Sequence, residues 1–383
     1  MDTKDYVVSI RRKIHQNPEL GFEEFQTQKL IVDELEKLGI AYQKIATGVI
    51  CDIGAGEDSD NIIAFRADMD ALPVCEETGK EYASKVDGKM HACGHDNHVA
   101  ILLGVIKEIV KYKTEIRGKI RFIFQPNEEG TNGANYLVEN GALEPKPKAI
   151  FGLHVKPDLE TGKIALKYDE MMAAVDEFKI ILKGVGGHAA LPHLAQDVIL
   201  TGAQVVSALH TIISRNINPT RPTVLSICKF NAGTAFNIIP ASCELVGTIR
   251  TFDEETRKII KTKIREIVSN FAKANNLISE IEINDMHGAL VNDNNLVNFV
   301  KSVAGNVVGK ENVVILKEPS MGGEDFSEYL KNTSGCYFYI GVRNEAKDCV
   351  YDWHNPKFDA DEDALKIGVN LFCEIIKTHF CLK

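Results

Sequence analysis

The sequence concentrates residues that bind transition metals in one short segment. Residues 90–98 contain three histidines and one cysteine, in the order His91, Cys93, His95 and His98. Imidazole nitrogen and thiolate sulfur suit zinc and similar divalent cations, so a cluster of this density predicts metal binding. A lone Cys-x-His pair would carry little weight, because such pairs are frequent by chance.

Further acids and histidines follow other predicted strands. Glu128 and Glu129 follow the apolar run 120–126 after one intervening residue. Adjacent acids usually form an exposed turn, but at the end of a buried strand they require a cation or a proton to offset their repulsion. His154 also ends a strand, and His354 precedes the last helix; each alone is as readily structural as functional.

Together these residues predict a site for two divalent cations that share one water molecule. Five of them would supply mixed nitrogen, oxygen and sulfur ligands: Cys93, His95, Glu129, His154 and His354. Glu128 would remain uncoordinated. Because metal-bound water has a pKa near ~7 instead of ~16, Glu128 could accept its proton and return it to a leaving amine. The pattern therefore favours hydrolysis at a carbonyl group.

Helices and strands alternate in the first third of the chain and must position these residues. Strands are predicted over 48–53, 61–66, 119–124 and 149–154, and helices over 2–15, 24–38, 99–110 and 133–140. This alternation favours an α/β layer with a largely parallel sheet, whose strands end at one rim. We expect the candidate ligands to meet at that rim. The alternation resumes after about residue 290 and ends in a helix over 362–379.

The middle third has a different order of elements. Strand, helix, strand, strand, helix and strand are predicted over 175–183, 195–215, 223–230, 243–251, 254–275 and 279–284. This is the order of a ferredoxin-like split unit. The predicted fold is therefore a three-layer catalytic α/β domain, residues 1–173 and 290–383, interrupted by an inserted ferredoxin-like α+β domain, residues 174–289.

The composition excludes several classes of protein. The chain has 383 residues, 44% of them hydrophobic, and a formal net charge of −10. These values are ordinary for a globular protein, and the acidic balance argues against nucleic acid or an anionic membrane as partner. No uninterrupted apolar run approaches the ~18 residues that a membrane span needs. Nine scattered cysteines and no apolar signal core predict reduced thiols in the cytoplasm.

Seven motifs resemble those of one enzyme family: RADMDALPV, MHACGHDNH, FQPNEEG, GVGGHAALPH, FNIIP, GGEDF and WHNPKF. The chain is similar over essentially its whole length to the metal-dependent amidohydrolases that include aminoacylases, hippurate hydrolases, N-acetyldiaminopimelate deacetylases and indoleacetyl-amino-acid hydrolases. The resemblance implies a catalytic domain interrupted by a dimerisation or lid domain. It also implies a homodimer or larger homo-oligomer that hydrolyses small N-acyl amino acids to a carboxylate and a free amino acid.

The resemblance assigns the same five ligands and makes Glu128 the catalytic base. It further implies that His188, in a glycine-rich turn, stabilises the substrate oxyanion, often in the partner subunit's site. Asn237 resembles a substrate-binding residue. Arg250 ends a strand of the inserted domain and could bind the substrate's α-carboxylate, the alternative being an ordinary surface arginine. Three residues match motif positions without a defined role: His193, Glu324 and Asp325.

At the positions of Asp68 and Asp70, related bacterial carboxypeptidases have a His-x-Asp motif. Those carboxypeptidases also lack the ligand cysteine. Cys93 would take the missing ligand position in this branch of the family. Asp68 is a candidate catalytic residue that either contacts metal or joins Asp70 in orienting the ligands. The thiolate leaves zinc, manganese, cobalt and nickel open as the metal.

Three alternatives remain from the sequence. Within the family, residues 192–195 resemble N-acetyldiaminopimelate deacetylases of lysine biosynthesis, whereas the WHNPKF motif favours general amidohydrolases. From another class, a thiol amidase would use Cys93 as nucleophile and His95 or His98 as base. That mechanism gives no role to the paired glutamates. A binding protein that merely keeps the fold would not be expected to retain Glu128.

Overall fold

A computed structural model of the protein describes residues 2–54, 61–130 and 132–382. The chain forms two compact units. The first comprises Met1–Met171, Val291–Glu318 and Asp325–Lys383, and the second comprises Met172–Leu290 and Pro319–Glu324. The sequence pattern did not indicate that the short segment Pro319–Glu324 belongs with the second unit.

Most helices and strands lie close to the predicted positions, but the strand predicted to end at His154 continues to Glu160. The α-helices are α1 Thr3–His15, α2 Phe25–Lys37, α3 His95–Ile109, α4 Gly133–Glu139, α5 Val198–Asn216, α6 Glu254–Ala274, α7 Asn294–Val308, α8 Ser327–Leu330 and α9 Asp363–Phe380. The β-strands are β1 Tyr42–Ile45, β2 Gly48–Ile53, β3 Ile62–Asp68, β4 Lys119–Gln125, β5 Ala149–Glu160, β6 Ile164–Leu166, β7 Asp169–Met172, β8 Ala174–Lys183, β9 Gly187–His188, β10 Val224–Ala232, β11 Ile238–Ile239, β12 Ser242–Thr251, β13 Ile278–His287, β14 Leu290–Asn292, β15 Val313–Ile315 and β16 Gly335–Arg343. The short strands β1, β6, β7, β9, β11 and β14 were not predicted, because two to four residues carry too little periodicity.

The first unit contains a mixed eight-stranded sheet in the order β1-β2-β4-β3-β5-β16-β6-β15. Its centre is parallel, since β3 pairs in parallel with β4 and β5, and β5 pairs in parallel with β16. Strand β2 is antiparallel to both of its neighbours, and β6 is antiparallel to β16. The prediction of an α/β fold is confirmed, and the sheet is parallel at its centre and at its β6–β15 edge but antiparallel at the β1–β2, β2–β4 and β16–β6 pairs. Asp68 and Gln125 lie opposite each other where β3 and β4 end.

Close packing around β3 fixes the position of that strand end. Phe65 stacks on Phe122 of β4 and Phe151 of β5, with ring centroids 6.0 and 5.4 Å away. Phe372 of α9 meets the same ring edge-on at 4.9 Å. Every residue of β3 is buried. Because well-packed aromatic side chains resist displacement, these contacts hold the three central strands in one register.

Helix α3 begins at His95 and is buried along nearly its whole length. Gly104 allows it to approach its neighbours closely, since a Cβ there would lie 2.5 Å from Val7 of α1 and 2.7 Å from Val369 of α9. Any larger residue at position 104 would therefore push against two helices. This packing holds the start of α3, and with it the segment rich in histidine, against the sheet.

The second unit contains a four-stranded antiparallel sheet in the order β10-β12-β8-β13, on which α5 and α6 pack. Along the chain the order is β8-α5-β10-β12-α6-β13. The buried carboxylate of Asp176 on β8 accepts hydrogen bonds from Arg257 on α6 and lies 2.9 Å from Lys261 Nζ. These ion pairs connect the helix to the sheet.

Helix α5 is long and apolar enough, by length and composition alone, to cross a membrane. A count of uninterrupted apolar residues does not identify this helix as a candidate span, because polar residues interrupt its apolar sequence. In the structure 33% of that span is buried, and the buried side packs on the sheet through residues such as Val205, Leu209 and Ile212. A core helix of a globular protein passes the same test, so the feature is weak evidence for a membrane span.

Candidate metal centre

The structure brings the five predicted ligands together in the first unit. The ligand atoms of Cys93, His95 and Glu129 all lie within 4.8 Å of one another. His154 Nε2 is 3.4 Å from Cys93 Sγ, and His354 Nε2 is 3.3 Å from Glu129 Oε1. One thiol, three imidazoles and one carboxylate therefore face a common region.

Two of these donor atoms are buried without a hydrogen-bond partner among the described residues: His95 Nε2 and Glu129 Oε1, which are 3.9 Å apart. A buried polar atom left unpaired is unfavourable unless something else satisfies it. Burial alone would lower the pKa of His95, but the surrounding carboxylates, first that of Asp68, raise it to about 10. The surroundings thus favour positive charge, and the residues present fit a centre for divalent cations.

Asp70 orients two of the five candidate ligands. Its Oδ1 lies 3.1 Å from His95 Nδ1, and its Oδ2 accepts a hydrogen bond from the Glu129 backbone N–H at 2.9 Å. In the neutral form of His95, which is the form that binds a cation, the proton on Nδ1 is donated to Asp70 and the lone pair of Nε2 faces the other donors. A single carboxylate therefore sets the ring orientation of one ligand and the backbone position of another.

Asp68 is fully buried, and both of its oxygens have protein partners. Arg66 Nη1 donates to Oδ2 at 2.6 Å, and His98 Nδ1 lies 2.5 Å from Oδ1. Burial alone would raise the pKa of Asp68, but Arg66 and the neighbouring histidines hold it well below its usual range. Asp68 is therefore an ionised carboxylate that pairs with fixed protein cations and donors.

His98 lies close enough to Asp68, His95 and His154 to form a second group of potential metal ligands with them. Its hydrogen bonds exclude it as a ligand. The backbone N–H of Val155 donates to His98 Nε2 at 3.0 Å, so the ring proton is on Nδ1, where it is donated to Asp68. With both nitrogens engaged, His98 connects β5 to the end of β3 instead of binding metal.

His154 has the opposite arrangement. Its Nδ1 lies 2.8 Å from the carbonyl oxygen of Val155, to which it donates, so the lone pair of Nε2 is directed towards Cys93. The indole of Trp353 meets the imidazole edge-on, with ring centroids 5.2 Å apart, and donates to the same carbonyl. His154 is therefore held as a neutral nitrogen donor, and burial keeps its pKa well below the ordinary value.

His354 reaches the centre from a loop whose backbone is in the left-handed region, with φ of 63°. This conformation is unfavourable for a residue with a side chain, so other contacts must maintain it. The backbone N–H of His354 donates to the carbonyl of Ala92 at 2.8 Å, which ties the loop to the segment containing Cys93. More than half of the His354 side chain is exposed, unlike those of His95 and His154.

Asp325 is a site residue whose role the sequence did not reveal. It is 1% exposed and accepts hydrogen bonds from Arg66 Nη2, Gln125 Nε2 and the Ala134 backbone N–H, at 3.0, 2.7 and 2.9 Å. It thereby joins the ends of β3 and β4 to the start of α4. The signal available in the sequence was an acid inside a recognised motif; its partners lie about 190–260 positions away.

Glu128 is half-buried and directly precedes Glu129. Burial raises the pKa of the Cys93 thiol well above its usual value, and the carboxylates of Glu129 and Glu128 raise it further. One carboxylate oxygen of Glu128 lies within 4.8 Å of one of Asp325. Glu128 is thus next to the candidate ligand Glu129 in sequence and close in space to Asp325, and it is not part of the group formed by Cys93, His95 and Glu129.

The remaining predicted residues lie in the second unit. His188 on β9 pairs with Ile238 on β11, and the Asn237 carbonyl accepts a hydrogen bond from the Ala189 N–H, so His188 and Asn237 share one small ribbon. Arg250 lies near the end of β12, whereas the ribbon precedes the start of that strand. From Ser242 to Arg250 the strand spans about 26 Å. The ribbon and Arg250 are therefore at opposite ends of β12.

Comparison with known proteins agrees with this geometry. The sequence pattern of peptidase family M20/M25/M40 matches residues 64–378, which is most of the chain. The chain belongs to this family. The prediction made from the seven motifs is thereby confirmed, and the protein is a hydrolase of the M20 type.

Three relatives illustrate the range of this family. The chain is 41% identical to thermostable carboxypeptidase 2 of Saccharolobus solfataricus, with 96% of this chain and 93% of the relative aligned. It is 41% identical to an N-acetyl-L-cysteine deacetylase of Bacillus subtilis, with 94% and 84% aligned. The crystal structure of the YXEP protein of Bacillus subtilis, a dinuclear metal binding peptidase of the M20 family, superposes with a TM-score of 0.84 at 34% identity and covers 100% of this chain and 99% of that one. The prediction of two divalent metals is consistent with this relative and with the donor set.

We predict that this M20 hydrolase, stripped by a chelator and then titrated with Zn²⁺ or Mn²⁺, binds two ions per chain. Cys93→Ala should bind fewer than two, because it removes the thiol that faces His95 and His154. The control is Cys75→Ala, since Cys75 is exposed and outside the donor set. Metal content after gel filtration, measured by inductively coupled plasma mass spectrometry, tests this. Unchanged binding by Cys93→Ala would contradict the proposed ligand set.

Proposed function

We propose that the protein hydrolyses the amide bond of N-acyl amino acids and releases a carboxylate and a free amino acid. The observation that carries this proposal is the convergence of five donors, one of which, Glu129, is directly preceded by the half-buried Glu128. The relatives support it chemically. A deacetylase of an N-acetyl amino acid and a carboxypeptidase both cleave the amide that joins an acyl group to an amino acid with a free carboxylate.

Glu128 and Glu129 divide the work between them. Glu129 is held through its backbone by Asp70 and contributes its carboxylate to the donor set. Glu128 accepts a proton from the attacking water and then delivers it to the amide nitrogen, which leaves as an amine. When bound, a pair of divalent cations supplies Lewis-acid polarisation of the carbonyl and a lower pKa for water. We propose zinc, manganese, cobalt or nickel, because each accepts thiolate, imidazole and carboxylate donors.

The neutral form of His188 has a proton in the position that an oxyanion donor requires. Its Nδ1 lies 3.0 Å from the Ala190 backbone N–H and accepts from it, so the ring proton is on Nε2 and the side chain is exposed. We propose that this N–H stabilises the carbonyl oxygen as it becomes negative. Asn237 on the same ribbon would contact substrate, and Arg250 would bind its carboxylate. Their location at opposite ends of β12 supports a site to which two subunits contribute.

We propose that the second unit acts as a lid and dimerisation domain whose partner is a second copy of this chain. Strand β10 is an edge strand of the sheet that the described residues form, with one neighbour in that sheet, and Phe230 on it is 41% exposed. Ile199 and Leu200 on α5 are also exposed, and Gly202 of that helix lies against the Phe230 ring. An apolar face beside a free strand edge is typical of an interface.

The dimer proposal predicts that the molecular mass of the protein in solution falls when a charged residue is introduced on this face. Wild-type protein should elute at twice the chain mass in light-scattering gel filtration, and Phe230→Asp should shift towards monomer because it buries a charge in the interface. The matched control is Ile278→Asp on β13, the opposite edge of the same sheet, where the side chain is 67% exposed. A monomeric wild type, or a Phe230→Asp variant that stays dimeric, would contradict the proposal.

We also propose a cytoplasmic location, since all nine cysteines are free thiols.

The electrostatics disfavour the thiol amidase that the sequence left open. Cys93 does lie 3.4 Å from a histidine, but that residue is His154, not the expected His95 or His98. A nucleophilic cysteine needs a lowered pKa, whereas burial and two carboxylates raise that of Cys93. Burial also keeps His154 neutral. The pair therefore lacks the thiolate and imidazolium charges on which thiol catalysis depends.

Glu128→Gln should retain two metal ions and lose about 10²–10⁴-fold in kcat, because the amide cannot accept the water proton. The assay uses acetyl-, benzoyl- and indoleacetyl-amino acids together with N-acetyldiaminopimelate, and follows release of the free amino acid. Glu139→Gln on α4 is the matched control, since Glu139 is exposed and outside the donor set. A Glu128→Gln variant with full activity would overturn the assignment of the base.

A chelator arm of the same assay separates the two reaction classes. EDTA should abolish the activity of the wild type, and added Zn²⁺ or Mn²⁺ should restore it. Activity that survives EDTA but is lost in Cys93→Ser would instead establish the thiol mechanism.

A further inference from the structure

Glu24 is a fully buried carboxyl group that is not one of the predicted site residues. It directly precedes α2 and is 0% exposed. The hydroxyl of Thr47, in the turn between β1 and β2, donates to Oε2, and the backbone N–H of Asn127 donates to Oε1 at 2.9 Å. Burial raises the pKa of this carboxyl to about 7. Burying a carboxyl group costs free energy unless hydrogen bonds compensate for the lost hydration. The groups that hydrogen-bond to Glu24 therefore indicate its role.

Asn127 has an unfavourable backbone conformation that its surroundings enforce. Its φ is 53°, in the left-handed region, and its carbonyl accepts a hydrogen bond from the Gly133 N–H at 3.1 Å. Its side chain lies against two glycines: a Cβ on Gly21 or on Gly130 would be 1.8 or 2.2 Å from Asn127 Oδ1. The turn that leads from β4 into the paired glutamates therefore has one narrowly defined shape.

Two carboxylates bind the backbone on either side of Glu128. Glu24 accepts from the N–H of Asn127, one residue before it, and Asp70 accepts from the N–H of Glu129, one residue after it. Both N–H groups belong to a loop, where backbone positions are otherwise weakly determined. With both neighbours fixed, the backbone of Glu128 has little freedom.

We propose that Glu24 is a positioning residue that holds the Asn127 turn and thereby sets the place of Glu128 and Glu129 in the site. It touches neither substrate nor metal in this scheme. This inference rests on the proposed function only for the catalytic role of Glu128. A displacement of about 1 Å in a reacting group can cost about 10²-fold in rate, so the loss of this hydrogen bond has a measurable effect.

The test compares Glu24→Ala with Glu24→Gln. Glutamine keeps both contacts, because its carbonyl oxygen accepts from Asn127 and its amide donates to Thr47, whereas alanine keeps neither. Glu24→Ala should lower kcat by about 10- to 100-fold with KM changed less than about 3-fold, and Glu24→Gln should stay within about 3-fold of the wild type. The matched control is Glu23→Ala, since Glu23 is the neighbouring glutamate and its side chain is 62% exposed.

Hydrogen exchange gives a readout that needs neither substrate nor metal. In the metal-free protein, amides in a peptide covering residues 126–130 should exchange at least about tenfold faster in Glu24→Ala than in the wild type, and at the wild-type rate in Glu24→Gln. If the protein hydrolyses no N-acyl amino acid, the proposed function fails while this measurement still decides the role of Glu24. Should Glu24→Ala not fold, Glu24→Asp replaces it, because the shorter side chain keeps the acid but cannot reach Asn127.

The pH dependence of stability checks that the carboxyl is buried in solution. The folded-state pKa is raised from the ordinary 4.5 to about 7 by burial, with Asp70 as the charged group that adds to the rise. Between these two pH values the unfolded chain loses the proton more readily than the folded one, so the wild type is destabilised as pH rises. Its urea midpoint should therefore fall relative to that of Glu24→Gln from pH 4.5 to 7.

Two results would overturn the proposal. One is a Glu24→Ala variant with wild-type kcat and wild-type exchange at residues 126–130. The other is a Glu24→Gln variant as impaired as Glu24→Ala, since hydrogen-bond geometry would then not be the cause.

Discussion

The candidate site depends on the carboxylate of Asp70, because its two oxygens bond to two candidate ligands at once. One oxygen orients the ring of His95 and the other holds the backbone of Glu129. This arrangement gathers buried negative charge, since Asp68 lies nearby and Glu129 is largely buried. Arg66 offsets part of that charge through Asp68 and Asp325. Divalent cations would offset the rest, which is why a donor set of this kind is stable with metal and strained without it.

The fold of the first unit brings these groups together. Strands β3, β4 and β5 are parallel and close-packed through Phe65 and its aromatic neighbours, so their carboxyl ends lie together. Site residues lie at or beyond the ends of two of these strands, with Asp68 and Asp70 at the end of β3 and the paired glutamates after β4. His154 instead lies within β5, which continues to Glu160. Hydrogen bonds between loops then refine the positions, as with His354 bound to the carbonyl of Ala92.

Much of this could be predicted from the sequence, for identifiable reasons. Metal ligands are drawn from a few residue types, and Cys93, His95 and Glu129 stand in motifs whose spacing does not depend on the rest of the fold. The long helices and central strands follow from hydrophobic periodicity. The sequence could distinguish the role of Glu128 from that of Glu129, because two adjacent acids at the end of a strand are expected to have different roles.

The missed features depend on contacts between distant parts of the chain. His98 has the same residue type as three of the ligands, and the bonds of its two nitrogens to Asp68 and to the Val155 N–H distinguish it from them. Asp325 and Glu24 acquire their roles from partners more than 100 positions away. The antiparallel pairings of β2 with its neighbours and of β6 with β16 follow from tertiary pairing and not from local pattern, since a strand of β2's composition fits either direction. Tertiary hydrogen bonds of this kind leave no periodic trace in a sequence.

X-ray absorption at the zinc K edge of the Zn²⁺-loaded protein tests the central claim, the convergence of five donors around bound cations, most directly. The account predicts a sulfur shell near ~2.3 Å together with a nitrogen and oxygen shell near ~2.0–2.1 Å, and loss of the sulfur shell in Cys93→Ser. A wild-type spectrum with nitrogen and oxygen scatterers alone would contradict it.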